Sequence, residues 1–259
     1  MFDRDITFSM RLIMLLALVG LMPVAGIAAG NESGNNFRQV KKELVKVYAN
    51  DRTTFYGGCR YDASGHVDAH SCGYSARKNE KRGNKIEWEH IVPAWALGHA
   101  LQCWQNKVCT NSHGKAYKGR KCCGDSNATF RAMESDMHNL VPAIGELNGD
   151  RSNFRYGMIS GEARNYGAVD FEVDFKQKVA EPSPHIRGDI ARTYFYMERM
   201  YGLNIGKKQK RLLAVWNRED PVDARELERN RKIMAVQGNS NPFVTSFTAD
   251  ADAVINPPE

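Results

Sequence analysis

Apolar residues recur at helical spacing from Phe37 to Ala49, where Val40, Leu44, Val45 and Tyr48 form one stripe. That pattern predicts an amphipathic helix. Residues 53 to 76 are rich in Gly, Tyr and Cys, which predicts short turns and strands around a disulfide. A polar, strongly basic stretch follows from Arg77 to Lys85. Ile86, Trp88 and Val92 then alternate as one face of a strand, stopped by Pro93. Residues 94 to 104 read as helix. Residues 105 to 127, mostly Lys, Gly, Asn, Ser and Cys, read as a long surface loop. Phe130 to Met137 predicts a short helix, and Ala143 to Asn148 a helix start. Tyr166, Val169, Phe171, Val173 and Phe175 predict a strand over 166 to 175. The segments 185 to 202, 206 to 217 and 222 to 235 are helical in pattern, and Asn239 to Val244 closes the compact part.

The ends follow other rules. Leu12 to Ala25 is an apolar run too short to span a bilayer comfortably, and Gly26-Ile27-Ala28-Ala29 follows it with small residues. Residues 1 to 29 therefore read as a cleaved secretory signal. Asp3 and Asp5 offset Arg4 and Arg11, whereas a start at Met10 places Arg11 directly before the apolar run. Residues 30 to 36 read as a flexible lead-in, 37 to 244 as the folded domain, and 245 to 259 as a loose acidic tail. No later segment is apolar enough to cross a membrane, so no membrane anchor is expected.

The 259 residues suffice for a sizeable core. Their composition, 42% apolar and 25% charged, is that of a soluble globular protein. The net charge of +6 suits a polyanionic partner. Export gives the six cysteines a meaning. Cys59, Cys72, Cys103, Cys109, Cys122 and Cys123 all lie in one stretch, and an even count in an oxidising compartment points to disulfides. Zinc is the competing explanation, but there is no Cys-x-x-Cys, and adjacent Cys122-Cys123 is an awkward chelating pair.

The candidate chemistry centres on Glu89-His90, a hard metal ligand beside a general base. Strand neighbours point to opposite faces, so both serve one site only where the strand ends or bulges. By itself such a pair is more often structural. The zinc-protease His-Glu-x-x-His, the Gly-x-Ser-x-Gly elbow and a phosphate-binding Gly loop are all absent. Residues 136 to 153 add Asp136, His138, Asn139, Glu146, Asn148, Asp150, Arg151 and Asn153, which suit metal, phosphate or simple capping. Ile144 and Leu147 fit a packed helical face that leaves Asn148 free to project elsewhere.

Three segments carry a resemblance: Ile86-Glu-Trp-Glu-His-Ile-Val-Pro-Ala-Trp95, Met133-Glu-Ser-Asp-Met-His-Asn-Leu140 and Gly145-Glu-Leu-Asn-Gly-Asp-Arg-Ser-Asn-Phe154. With Ala191 to Met197, Trp216-Asn217 and Val236 to Phe243, the chain resembles the bacterial endonuclease I family in order over roughly residues 37 to 244. The resemblance implies an α+β fold: a mixed, mainly helical single domain around a ββα-metal (His-Me finger) element. It implies a monomeric, periplasmic or secreted nuclease. Glu89 and Asn148 match ligands of a single Mg²⁺, a site that Mn²⁺ or Ca²⁺ can also occupy. His90 matches the general base, and Arg120 an arginine on the phosphate near the scissile bond. DNA is the implied substrate and RNA a further candidate, both held through the phosphate backbone without sequence preference.

Cys109 and Cys122 look additional to the family pattern, both near a lengthened loop, and the expected pairs are Cys59–Cys72, Cys103–Cys123 and Cys109–Cys122, the last two interchangeable. The chain departs from that pattern at Gly57, Ala168 and Glu226, where further cysteines are usual. Two basic clusters flank the site in sequence: Arg77, Lys78, Lys81, Arg82 and Lys85, and then Lys115, Lys118, Arg120 and Lys121. Both read as phosphate contacts, whereas Lys207, Lys208, Lys210 and Arg211 read as a solvated helix face. The rival from another class is an exported nucleic-acid-binding protein without catalysis.

Overall fold

A computed structural model describes residues 30 to 161 and 163 to 250. The expected signal peptide, the alternative start at Met10 and the end of the expected acidic tail lie outside the described residues. Helix α1 (Phe37–Val47) opens the fold. Asn36 accepts from the Arg38 and Gln39 amides while the Gln39 side chain accepts from the Asn36 amide, a capping box worth about 1 kcal/mol. The buried stripe is Val40, Leu44, Val47 and Tyr48. Val45, expected within it, is 52% exposed, because the helix turns that position toward solvent.

Next come α2 (Glu80–Gly83), β1 (Ile86–His90), α3 (Ala94–Gly98) and α4 (Gln102–Gln105). The helix expected over 94 to 104 is thus two short ones. The expected loop over 105 to 127 is instead built: β2 (Cys109–Thr110) pairs with β3 (Ala116–Tyr117), and α5 (Arg120–Ser126) follows. Its polar sequence hides the order because Cys103–Cys123 and Cys109–Cys122, rather than an apolar stripe, hold it. The third disulfide, Cys59–Cys72, ties the turn-rich segment before α2.

Then α6 (Ala128–Glu134) leads through a 3₁₀ turn to β4 (Leu140–Ile144) and α7 (Gly145–Arg151). Leu140 to Ile144 was not expected as strand, and the helix starts at Gly145 rather than Ala143. Pro142 obscures this strand in sequence; it is tolerated here because the sheet has only two strands, and its carbonyl accepts from the Phe55 amide at 2.7 Å. The strand expected over 166 to 175 shortens to β6 (Phe171–Asp174). It pairs antiparallel with β7 (Val179–Pro182), which pairs in parallel with β5 (Arg155–Tyr156). Helices α8 (Arg187–Tyr201), α9 (Lys207–Glu219), α10 (Ala224–Gln237) and α11 (Pro242–Thr245) complete one α+β domain.

Two strands and a helix position the site. β1 and β4 are antiparallel, with Glu87 opposite Ala143, Glu89 opposite Val141 and His90 opposite Leu140. α7 leaves the end of β4 and packs back over both strands. The apolar core runs beneath, from Ile91, Val141, Ile144 and Leu147 to Phe171, Phe195 and Trp216.

Candidate active site

β1 ends at His90, which resolves the alternation problem. Glu89, His90, Arg120 and Asn148 line a single small cleft of about 130 Å³, together with Trp88, Arg151 and Ser152. The chain bends after His90 for visible reasons. Arg151 Nη1 donates to the His90 carbonyl at 2.9 Å and Nη2 to the Ile91 carbonyl at 2.5 Å. Asn139 completes the bend, accepting from the Val92 amide at 2.7 Å and donating to the Val92 carbonyl at 3.0 Å.

Glu89 is 4% exposed. Its Oε1 accepts from the Tyr56 hydroxyl at 2.7 Å and from Arg151 Nη1 at 3.1 Å. Burial pushes the carboxyl above its usual range, while Arg151 and Tyr56 pull it back. Oε2 is engaged by neither.

His90 lies against Phe37, with ring centroids 4.9 Å apart. Its Nε2 sits 2.7 Å from the Glu134 carbonyl. A carbonyl only accepts, so Nε2 carries the proton and Nδ1 keeps its lone pair. Burial first, and then the Arg120 charge, push the imidazole down to about 3. The ring is therefore neutral at pH 7.

Arg120 opens α5, and its Nε donates to Glu134 Oε1 at 2.5 Å. Its guanidinium lies 5.0 Å from the centroid of the Phe37 ring, and its side chain is 44% exposed. Glu134 thus serves twice, holding His90 by its carbonyl and Arg120 by its carboxylate. Because Nε is taken, both Nη groups of Arg120 remain for a planar, bidentate contact.

Asn148 Nδ2 donates to Glu87 Oε2 at 2.8 Å, which turns the amide oxygen away from Glu87. The donors available to a cation are then one carboxylate oxygen and one amide oxygen. That set fits a hard, hydrated ion such as Mg²⁺, which keeps several waters. Among the described residues no three His, Cys, Asp or Glu side chains gather as a metal site, so the nitrogen and sulfur set that zinc prefers is not on offer.

The other polar residues of 136 to 153 are drawn elsewhere. Asp136 accepts from Tyr196, Tyr201 and Gln237. His138 Nε2 meets the Asn239 carbonyl at 3.0 Å. Glu146 takes the amides of Arg77, Lys78 and Asn79 with the Tyr74 hydroxyl. Asp150 takes Arg77 and Tyr166. Arg77 and Arg82, expected on phosphate, are in ion pairs with Asp150 and Glu87, whereas Lys78, Lys81 and Lys85 stay exposed. Tyr56, Glu87 and Glu134 were missed as site residues. Glu87 alone had a signal, since it shares a strand face with Glu89.

A buried carboxylate, a neutral imidazole with its tautomer set and an arginine with two free donors suit cleavage of a phosphate ester. The class is that of a phosphodiester hydrolase. The Endonuclease I profile matches residues 29 to 247, and the chain belongs to that family of nucleases. It is 46% identical over 233 residues to a periplasmic deoxyribonuclease of Aeromonas hydrophila, covering 88% of this chain and 93% of the relative. An extracellular deoxyribonuclease of the same organism is 47% identical over 212 residues, 80% of this chain and 87% of the relative. Endonuclease-1 of Buchnera aphidicola is 42% identical over 212 residues, 81% of this chain and 80% of the relative. The chain is accordingly a nuclease of the periplasm or the extracellular medium.

Proposed function

We propose that this nuclease is a monomeric, Mg²⁺-dependent endonuclease that cleaves DNA, and RNA beside it, without sequence preference. The ββα-metal element is β1, β4 and α7. The observation that carries the reading is the 2.7 Å contact between His90 Nε2 and the Glu134 carbonyl. It leaves Nδ1 as the one basic ring nitrogen, in a cleft shared with Glu89, Asn148 and Arg120. His90 Nδ1 takes the proton of the attacking water. Arg120 binds the phosphate oxygens through its Nη groups, and Glu134 keeps it in place. Glu89 and Asn148 would hold the ion, which when bound offsets the charge that builds on the leaving 3′ oxygen. The exposed Lys78, Lys81 and Lys85 hold the backbone on the approach to the cleft. The products carry 5′-phosphate and 3′-hydroxyl ends.

The test is cleavage of plasmid and of RNA by wild type and His90→Ala, with Mg²⁺ or with EDTA. Wild type is expected to cut only with metal, and His90→Ala to lose about 10²–10⁴-fold in rate. Equal rates in the two proteins would remove His90 from the chemistry. Intact plasmid with Mg²⁺ would leave a binding protein without catalysis.

A further inference from the structure

We propose that Arg82 and Glu87 form a positioning device that decides which atom of Asn148 faces the cation cleft. This rests on reading Asn148 as a ligand. An asparagine amide has two nearly isosteric orientations, and only one presents a lone pair to a cation. Glu87 Oε2 accepts from Asn148 Nδ2 at 2.8 Å. A carboxylate accepts and does not donate, so the flipped amide would set oxygen against oxygen.

Glu87 is itself clamped. Arg82 donates to it through Nε at 2.7 Å and Nη2 at 2.6 Å, the bidentate geometry that fixes a carboxylate best. Arg82 in turn depends on a gap in α7. A Cβ at Gly149 would meet Arg82 Nη1 at 2.0 Å, and one at Gly145 would meet the Arg82 carbonyl at 2.5 Å. The guanidinium lies across the helix where it has no side chain. A line of contacts therefore runs from the basic segment through Glu87 to Asn148. The same line selects Asn over Asp at 148, because an aspartate there would place two like charges within hydrogen-bond distance.

Isothermal titration of Mn²⁺ into the purified exported protein tests this without reference to turnover. Glu87→Ala is expected to bind Mn²⁺ about 10-fold more weakly, the usual size of such an outer contact. Gly149→Ala is expected to weaken binding in the same direction by displacing Arg82, even though Ala is the better helix former. Should Glu87→Ala fail to fold, Gly149→Ala carries the test, because the group it displaces is the end of a flexible side chain. Asn148→Asp is expected to weaken binding beside Glu87 and to strengthen it in the Glu87→Ala background. A purely structural role for Glu87 predicts no such reversal. Wild-type affinity in both Glu87→Ala and Gly149→Ala, with binding lost in Asn148→Ala, would overturn the device and spare the ligand. Wild-type affinity in Asn148→Ala would overturn the ligand assignment and the device with it.

Discussion

Among the described residues two arginines are wholly buried, Arg151 under the cleft and Arg192 among the late helices. Arg192 is spent on structure. Its Nε donates to Glu226 Oε1 at 2.8 Å, Nη2 lies 2.6 Å from Glu226 Oε2, and Nη1 donates to the Asp220 carbonyl at 2.8 Å. Both oxygens of its carboxylate face the guanidinium, Oε1 in a hydrogen bond and Oε2 in the ion pair alone. Arg151 meets its carboxylate through one oxygen only, and its Nη groups also donate to the His90 and Ile91 carbonyls. Glu89 is therefore held yet half free. The comparison shows how one type of buried charge either closes a packing problem or leaves an acid ready for a ligand.

The largest effect expected is from Arg151→Met against Arg192→Met. Removing one partner of a buried pair costs about 3–5 kcal/mol, roughly 10 °C in melting temperature for a chain of this size. Both variants should lose that much by calorimetry. Cleavage measured well below the melting point should separate them. Arg151→Met is expected to lose it, because Glu89 and the bend after His90 are released, and Arg192→Met to keep it. Equal loss of cleavage would erase the distinction between the two regions.

Acid titration gives the next largest effect. His138 is 1% exposed, and burial pushes it down to about 4. Its folded value lies below the unfolded value of about 6.5. The stability it contributes is thus present above pH 6.5 and is lost as pH falls toward 4. The full loss is about 3 kcal/mol. His90, pushed down to about 3, acts in the same direction. The melting temperature should fall from pH 6.5 to pH 4, with a shallower slope in His138→Asn. An unchanged slope would place the acid sensitivity in groups other than His138.

Removing Cys59–Cys72 opens the loop that begins shortly after Tyr56, on the cleft side of the molecule. A loop of this length is worth roughly 2–3 kcal/mol, to be read in the denaturation midpoint of the Cys59→Ala, Cys72→Ala protein. The smallest effect separates surface charges. Lys78→Ala should lower the salt dependence of DNA binding by about one in the log–log slope. Lys208→Ala, on α9, should leave that slope unchanged. Equal slopes would extend the substrate track to the late helices.

Legibility in sequence followed the source of each constraint. β1 and α1 were readable because an apolar pattern makes them. The ordered stretch from Cys109 to Ser126 was not, since disulfides hold it and leave no periodicity. β4 was hidden by Pro142. Glu89, His90 and Asn148 were legible through resemblance and then met in one cleft. Their supports were not: Tyr56 arrives from 33 residues upstream of Glu89, and Arg151 looked like one polar group among many. Side chains that act through long-range packing leave no local signature.

Glu134 has a consequence of a different kind. The proposed base and the proposed phosphate-binding arginine are both referenced to this one residue, His90 to its carbonyl and Arg120 to its carboxylate. Breathing of the domain that shifts the end of α6 carries both groups together. Their separation is insulated from such motion, as two instruments bolted to one bench keep their alignment when the floor moves. For selection the two attachments are separate traits. Replacing the side chain at 134 frees the arginine, while the carbonyl goes on holding the imidazole.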